Sequence, residues 1–132
     1  MIVRGLQLPV LETGVVTAAM VARFADAQAD HNPIHLSHAA AVSAGFAGPL
    51  LHGMYIMAQF ERLLLGWQAM RIIRLQARFV RPVAVGVGLK LSGRVLETQD
   101  GEIFVRLSAK TEGEILVAIG EARLRRSHPE PE

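Results

Sequence analysis

The sequence predicts an α+β fold in which an antiparallel β-sheet wraps around one long apolar α-helix. Residues 49–66 would be apolar on nearly every side of a helix, which is typical of a buried helix. Residues 73–124 instead show several runs of alternating apolar and polar side chains separated by short turns, which indicates an antiparallel meander. A sheet that curls around the apolar helix is the simplest arrangement that covers it.

The composition is that of one soluble domain. The chain has 132 residues, of which 51% are hydrophobic, so we expect a single folded domain and no extensive disorder. We assign residues 1–127 to this domain and residues 128–132, His-Pro-Glu-Pro-Glu, to a flexible tail. A formal net charge of +2 and few aromatic residues give no reason to expect a nucleic-acid partner.

The sequence also predicts where the protein resides. There is no cysteine, which excludes a disulfide framework and fits a reducing compartment. The N-terminus lacks the pattern of a signal peptide, and the long apolar segment contains His52, Glu61 and Arg62, which argues against membrane insertion. We therefore expect a cytoplasmic protein.

The first quarter of the chain predicts a strand and a helix. Residues 1–12 look extended and end at a Glu-Thr-Gly turn over residues 12–14. Thr17 is a residue type that caps helices, and the apolar stripe after it continues to about Ala29.

Two further helices are predicted before the strands. Ser37 can cap a short helix over residues 39–43, which Gly45 would end. Pro49 suits the first turn of the long apolar helix, because its φ is already helical and it has no N–H to leave unbonded.

Four strands are predicted after residue 66. Asp100-Gly101 is the strongest turn signal, because Asp-Gly favours the two-residue hairpin turn in which both residues have positive φ. Glu112-Gly113 predicts the next turn. The predicted strands cover residues 73–80, 89–97, 103–110 and 115–124.

Residues 30–35, Asp-His-Asn-Pro-Ile-His, are the strongest candidate for chemistry. Asn32-Pro33 is a stiff turn, because proline fixes its own φ and pushes the preceding residue out of the helical region. The turn separates a carboxyl, Asp30, from an imidazole, His35, and both groups serve in general acid–base catalysis. A second interpretation stays open, in which Asp30 only caps the turn and His35 only bonds to nearby backbone.

No metal and no other cofactor is predicted. Asp30, His31, His35 and His38 are of the right ligand types, but Pro33 argues against one continuous helix face that presents all three histidines. A cluster of arginines downstream has two interpretations, a solvated strand face or a clamp for the phosphates of an anionic substrate. These arginines are Arg71, Arg74, Arg78 and Arg81.

The motifs together resemble those of the MaoC-like (R)-specific enoyl-CoA hydratases and dehydratases, a family with the hot-dog fold. The family pattern is roughly Ser-Gly-Asp-x-Asn-Pro-x-His-x-Asp, followed by Gly-Phe and then His-Gly-Met. The order and spacing agree over most of the chain. The matching residues are Asp30, Asn32, Pro33, His35, Gly45, Phe46, His52, Gly53 and Met54, with Arg78-Phe79, Pro82-Val83 and Gly86 downstream.

The resemblance implies a hydro-lyase that reversibly hydrates a trans-2-enoyl-CoA to an (R)-3-hydroxyacyl-CoA. Asp30 and His35 would activate the water, and the backbone amide of Gly53 would form the oxyanion hole. That amide would already be hydrogen-bonded in a helix that begins at Pro49, whereas a start nearer Leu51 would free it. The residues that would bind substrate are Asn32, His52 and Arg78, and a buried structural role for His52 is the alternative.

The chain departs from the family pattern at Gln28, Ala29, Ser37 and Glu61. Two alternatives to the hydratase therefore stay open, an acyl-CoA thioesterase and a non-catalytic acyl-binding subunit of a two-chain dehydratase. The resemblance implies a homodimer with each site near the interface, or pairing with a second hot-dog chain.

Overall fold

The computed structural model describes residues 1–127, and this part of the chain forms one five-stranded antiparallel sheet and four helices. The predicted tail, residues 128–132, lies outside the described residues. The elements are β1 (Leu11–Val15), α1 (Ala18–Gln28), α2 (Pro33–Leu36), α3 (His38–Ser43), α4 (Gly53–Trp67), β2 (Met70–Phe79), β3 (Gly88–Gln99), β4 (Glu102–Thr111) and β5 (Leu116–Arg126). The strand order β1-β3-β4-β5-β2 leaves β1 and β2 at the edges of the sheet.

The N-terminal segment is less regular than predicted. Strand β1 runs through the Glu-Thr-Gly step that the sequence suggested as the end of the extended segment. Before β1, Gln7 forms an isolated bridge to Arg94. The prediction for α1 is confirmed, because Thr17 is its N-cap and the Thr17 hydroxyl accepts the amide of Met20 at 3.2 Å.

The Asp-His-Asn-Pro segment contains a one-turn helix, α2, that the sequence did not predict. Pro33 is its first residue, and the side-chain oxygen of Asn32 caps it by accepting the amide of Ile34 at 3.2 Å. The prediction for α3 is confirmed, since the hydroxyl of Ser37 accepts the amide of Ala40 at 3.1 Å. Local capping therefore determines α2 within the motif and α3 directly after it.

The long helix α4 begins at Gly53, so the prediction that it begins at Pro49 was wrong. Residues 49–51 instead bond to a distant segment of the chain. The amide of Leu51 donates to the carbonyl of Val83 at 2.8 Å, and the amide of Val85 donates to the carbonyl of Pro49 at 2.9 Å. These hydrogen bonds keep the segment out of the helix and delay the helix start.

One face of α4 packs into the core, and the opposite face is left partly uncovered. The buried residues of α4 are Tyr55, Ile56, Phe60, Leu63 and Leu64. On the opposite face, Met54 is 57% exposed and Leu65 is 49% exposed. Within one chain, the predicted burial of the helix is therefore achieved on only one of its faces. Within residues 1–127, no helix combines the length and the apolar character needed to cross a membrane.

The meander is confirmed, with each predicted strand lengthened or shifted by a few residues. Asp100 and Gly101 have φ values of 52° and 77°, as the predicted two-residue hairpin requires. Side chains from β3, β4 and β5 build the sheet side of the core. The large residues among them that are less than 2% exposed are Leu89, Leu91, Val95, Val105, Leu107, Val117 and Leu124.

Candidate active site

The end of α1 presents Asp30 at the surface. Ala29 caps the helix in the left-handed conformation, with φ 54°, and the amide of Asp30 donates to the carbonyl of Ala25 at 3.0 Å. One carboxylate oxygen of Asp30 accepts the amide of Asn32 at 3.3 Å. Within residues 1–127 no other hydrogen bond engages this carboxylate, and the side chain is exposed. Asp30 therefore stabilises the turn and still has a free oxygen for a ligand.

His35 is held in one tautomer by the main chain. Its Nδ1 lies 2.8 Å from the carbonyl oxygen of Leu50. A carbonyl only accepts hydrogen bonds, so Nδ1 carries the proton in this contact. In the neutral ring Nε2 then has a lone pair, which makes it a candidate proton acceptor.

His52 is 2% exposed and lies directly before α4. Its side chain does not cap the helix. Instead, Nε2–H donates to the main-chain carbonyl of Asp30 at 3.0 Å. The ring stacks on that of His35, with centroids 3.8 Å apart and planes inclined by 24°. Within the described chain, Nδ1 of His52 is buried without a hydrogen-bond partner.

An aromatic wall supports His52 from the side of the core. The ring of Phe24 lies 5.1 Å from His52 and 5.4 Å from Tyr55, in tilted and edge-to-face arrangements. Burial raises the pKa of the Tyr55 hydroxyl, and the nearby charge of Arg62 acts in the opposite direction. The wall leaves little freedom for the His52 ring to turn.

These contacts bring three titratable groups together. A carboxylate oxygen of Asp30 and one ring nitrogen each of His35 and His52 all lie within 4.8 Å of one another. A single water can span such a distance, because it makes hydrogen bonds of about 2.8 Å in two directions. The backbone bonding foreseen in the second interpretation of the motif is present as well, because Asp30 accepts the amide of Asn32 and His35 bonds to the carbonyl of Leu50.

The cluster is poorly arranged for a metal ion, although its groups are of ligand types. A metal binds the lone pair of an imidazole nitrogen about 2.0–2.1 Å away, along a direction in the plane of the ring. His35 and His52 are stacked, so their ring planes are nearly parallel and one ion cannot lie in both. His31, one of the ligand types noted in the sequence, instead bonds to the carboxylate of Asp26 at 2.7 Å.

Gly53 is the first residue of α4, and its amide has no protein acceptor within residues 1–127. The late helix start therefore frees the donor, which is the outcome that the sequence left open. A Cβ at this position would lie 3.0 Å from the ring of Phe79, so only glycine lets that ring pack against the helix start without a shift.

A groove of about 330 Å³ lies between the start of α4 and the segment after β2. Its charged lining residue is Arg81, which the sequence placed in the arginine cluster without a role in the site. The remaining walls are mainly apolar, so the groove suits an apolar chain with an anionic end. Its lining includes Ile34, His35, Leu50, Gly53, Ile56 and Phe79.

The structure does not bring every predicted site residue to this groove. Phe79 faces Gly53, so the side chain of Arg78 leaves the opposite face of the sheet and lines a separate depression of about 590 Å³. Glu61 is exposed on α4 and borders a third depression of about 500 Å³. The exposed Asn32 uses its side-chain oxygen to cap α2. The carbonyls of Asp30 and Leu50, which orient the imidazoles, had no signal in the sequence.

A family model and two proteins of known name match most of this sequence. A family model described as the MaoC like domain matches residues 9–116. An (R)-specific enoyl-CoA hydratase from Aeromonas caviae is 32% identical over 110 residues, which cover 80% of this chain and 82% of that protein. A mitochondrial 3-hydroxyacyl-[acyl-carrier-protein] dehydratase from Arabidopsis thaliana is 29% identical over 117 residues, which cover 84% of this chain and 70% of that protein.

A solved structure agrees with the sequence matches. The (R)-hydratase from A. caviae involved in PHA biosynthesis superimposes with a TM-score of 0.86 at 28% sequence identity. The match covers 96% of this chain and 97% of that chain. The likeness therefore extends over the helices as well as the sheet.

Proposed function

The chain belongs to the MaoC-like domain family and has the hot-dog fold, and on that premise we propose that it reversibly hydrates a trans-2-enoyl-CoA to an (R)-3-hydroxyacyl-CoA. One observation carries the proposal. The Asp30 carboxylate and an imidazole nitrogen of His35 lie within 4.8 Å of each other, and His35 lines an apolar groove. The names of the relatives describe the two directions of such a reaction.

In the proposed reaction, one water lies between Asp30 and His35. The free carboxylate oxygen and the lone pair on His35 Nε2 both accept hydrogen bonds from it, so its oxygen can attack the β-carbon of the enoyl thioester. As the C–O bond forms, a proton leaves the water for this pair. The same pair then returns a proton to the α-carbon, so the net change is the addition of one water.

The amide of Gly53 would stabilise the charge that develops on the thioester oxygen. Attack at the β-carbon moves electrons toward that oxygen and gives it enolate character. A free N–H at the first position of a 15-residue helix lies where the helix dipole is positive, which favours an anion. His35 and Gly53 line the same groove, so one acyl thioester could meet both.

A non-catalytic acyl-binding subunit is the second candidate, and specific departures favour it. Ala29, directly before Asp30, holds a left-handed conformation at a position where the family pattern has glycine. Glu61 is exposed outside the groove. A chain with such changes could hold an acyl group and leave the chemistry to a partner chain.

Incubation with crotonyl-CoA tests the proposal. The absorbance of the enoyl thioester and the release of free thiol are followed together in the purified protein. Loss of absorbance without thiol release is the expected result. Thiol release would instead indicate a thioesterase. If neither loss of absorbance nor thiol release occurs with any of a series of acyl chain lengths, the result favours the non-catalytic acyl-binding subunit.

We also propose that the protein forms a homodimer with each site near the interface. Within residues 1–127, strand β2 lies at the edge of the sheet and its outer side pairs with no other strand, and unpaired edges favour pairing with a second chain. Phe79 and Val80 at the groove are 44% and 41% exposed, so a second chain could cover them.

A further inference from the structure

We infer that His52 is a positioning residue for the hydration chemistry, which holds the main chain of Asp30 and the ring of His35 in their working arrangement. This inference rests on the proposed function and extends it to a residue that the substrate does not reach. At 2% exposure the His52 ring offers almost no surface to a ligand. Any effect of His52 on the reaction must therefore pass through the groups that it touches.

The first of these groups is the loop that carries Asp30. The Asp30 side chain is exposed, and its preceding residue, Ala29, has a left-handed backbone that is unfavourable for alanine. The bond from His52 Nε2–H to the Asp30 carbonyl fastens this loop to a buried residue 22 positions away in the chain. Removing the donor frees the carbonyl to turn toward solvent, and the carboxylate then loses its fixed distance to His35.

The second group is the imidazole of His35. Its hydrogen bond to the carbonyl of Leu50 fixes one ring atom but permits rotation about that contact. The stacked ring of His52, 3.8 Å away, blocks one face and so restricts the ring plane. His52 also precedes Gly53 directly in the chain. His52 thus contacts both Asp30 and His35, and its main chain joins directly to Gly53, whose amide is the proposed oxyanion donor.

Two substitutions separate the hydrogen bond from the packing. His52→Phe keeps an aromatic ring that can stack on His35 but has no N–H for the Asp30 carbonyl. His52→Gln loses the ring but can place its amide N–H near the position of Nε2. We expect His52→Phe to lower kcat about a hundredfold while KM changes less than about threefold, because misplaced catalytic groups cost rate more than binding. We expect kcat of His52→Gln to exceed that of His52→Phe by at least about tenfold.

The order of the two variants decides the inference. If kcat of His52→Phe matches or exceeds that of His52→Gln, the hydrogen bond to Asp30 does not position the loop, and the inference fails. If both variants retain the wild-type kcat, neither the hydrogen bond nor the stacked ring positions the catalytic pair, and the inference fails as well. A rise in KM alone would also overturn it. Thermal melts establish that both variants are folded before their rates are compared.

A further test uses the wild-type protein, so it depends neither on the folding of a variant nor on an activity assay. Long-range ¹H–¹⁵N NMR spectra of the imidazoles should show the proton of His52 on Nε2 and the proton of His35 on Nδ1. The opposite tautomer at either ring would remove the hydrogen bonds on which the inference rests. If crotonyl-CoA is not hydrated while these tautomers are observed, the proposed function fails and the hydrogen-bond geometry stands.

Discussion

At the scale of single residues, backbone carbonyls decide what the two imidazoles can do. The carbonyl of Leu50 accepts a hydrogen bond from Nδ1–H of His35, and the carbonyl of Asp30 accepts one from Nε2–H of His52. The two rings are therefore held in opposite tautomers although they are stacked on each other. His35 is left with Nε2 as a hydrogen-bond acceptor, whereas His52 has its remaining nitrogen buried. The same residue type thus has different roles at two adjacent positions of one site.

Replacing Asp30 with asparagine should abolish most of the activity. Asp30→Asn keeps the shape of the side chain and its acceptor for the Asn32 amide but removes the charge. We expect hydration of crotonyl-CoA to fall by at least about a hundredfold, the usual scale for losing an acid–base group. Asp26→Asn is the matched control, because Asp26 is exposed nearby and bonds to His31. Equal rates for the two folded variants would contradict the role of Asp30.

The amide of Gly53 can be deleted with little disturbance of the helix. Proline is favoured at the first position of a helix, and His52 before it has ψ 139°, which is compatible with a following proline. Gly53→Pro removes the N–H, whereas Gly53→Ala keeps it and presents a similar Cβ to Phe79. We expect kcat of Gly53→Pro to lie about 10²–10³-fold below that of Gly53→Ala. Similar kcat values in the two variants would exclude this amide as the oxyanion donor.

At the scale of elements, the end of α1 has a conformation that its residue does not favour. Ala29 has φ 54°, and alanine pays a steric penalty there that glycine avoids. We expect Ala29→Gly to raise the free energy of unfolding by about 1 kcal/mol, measured by denaturant titration. A loss of stability would show that the left-handed conformation at Ala29 is wrong. Because Ala29 precedes Asp30, crotonyl-CoA kinetics of the same variant would report whether the departure at Ala29 affects the site.

Near the end of α4, replacing Gly66 with alanine should stabilise the protein. Gly66 has no positive φ, and an added Cβ would meet no atom within 4 Å. We expect Gly66→Ala to raise the free energy of unfolding by up to about 1 kcal/mol, because alanine has the higher helix propensity. Gly120→Ala is the contrasting variant, since its Cβ would lie 3.0 Å from the main-chain oxygen of Gln76 in β2. Urea titrations should therefore shift in opposite directions, and a shared direction would contradict the packing at Gly120.

At the scale of the whole molecule, two features of residues 1–127 lack a partner. The outer face of α4 exposes Met54 and Leu65, and β2, which follows α4 in sequence, has a free edge. Exposed apolar side chains and an unpaired strand both favour association. The proposed homodimer would cover both features and place the grooves near the interface.

Light scattering tests the association. We expect the wild-type protein to have twice the mass of one chain, and the double variant Met54→Lys/Leu65→Lys to have the mass of one chain. Charged side chains on this face would have to be desolvated on association, which is costly. Val10→Lys is the control, because Val10 is also exposed but precedes β1 at the opposite edge of the sheet. A wild-type monomer, or equal effects of both changes, would contradict the proposed interface.

Local physical chemistry made much of this architecture predictable from the sequence. Thr17 and Ser37 cap their helices, and Asp100-Gly101 turns the β3–β4 hairpin, because each feature depends on atoms within a few residues. The Asp30–His35 pair was recognisable for the same reason, since its proline fixes the turn between them. The family resemblance, which the family model and the (R)-hydratase structure confirm, rested on the spacing of these residues.

Only the tertiary structure decided the features that depend on contacts between distant segments. Helix α4 begins at Gly53 and not at the predicted Pro49, because residues 49–51 bond to the chain around Val83, more than 30 positions later. The same shift freed the Gly53 amide and placed His52 against Asp30. A sequence pattern records which turns a segment prefers by itself. It does not record which distant carbonyl will accept a hydrogen bond from a given imidazole or amide, because that depends on the assembled sheet and helices.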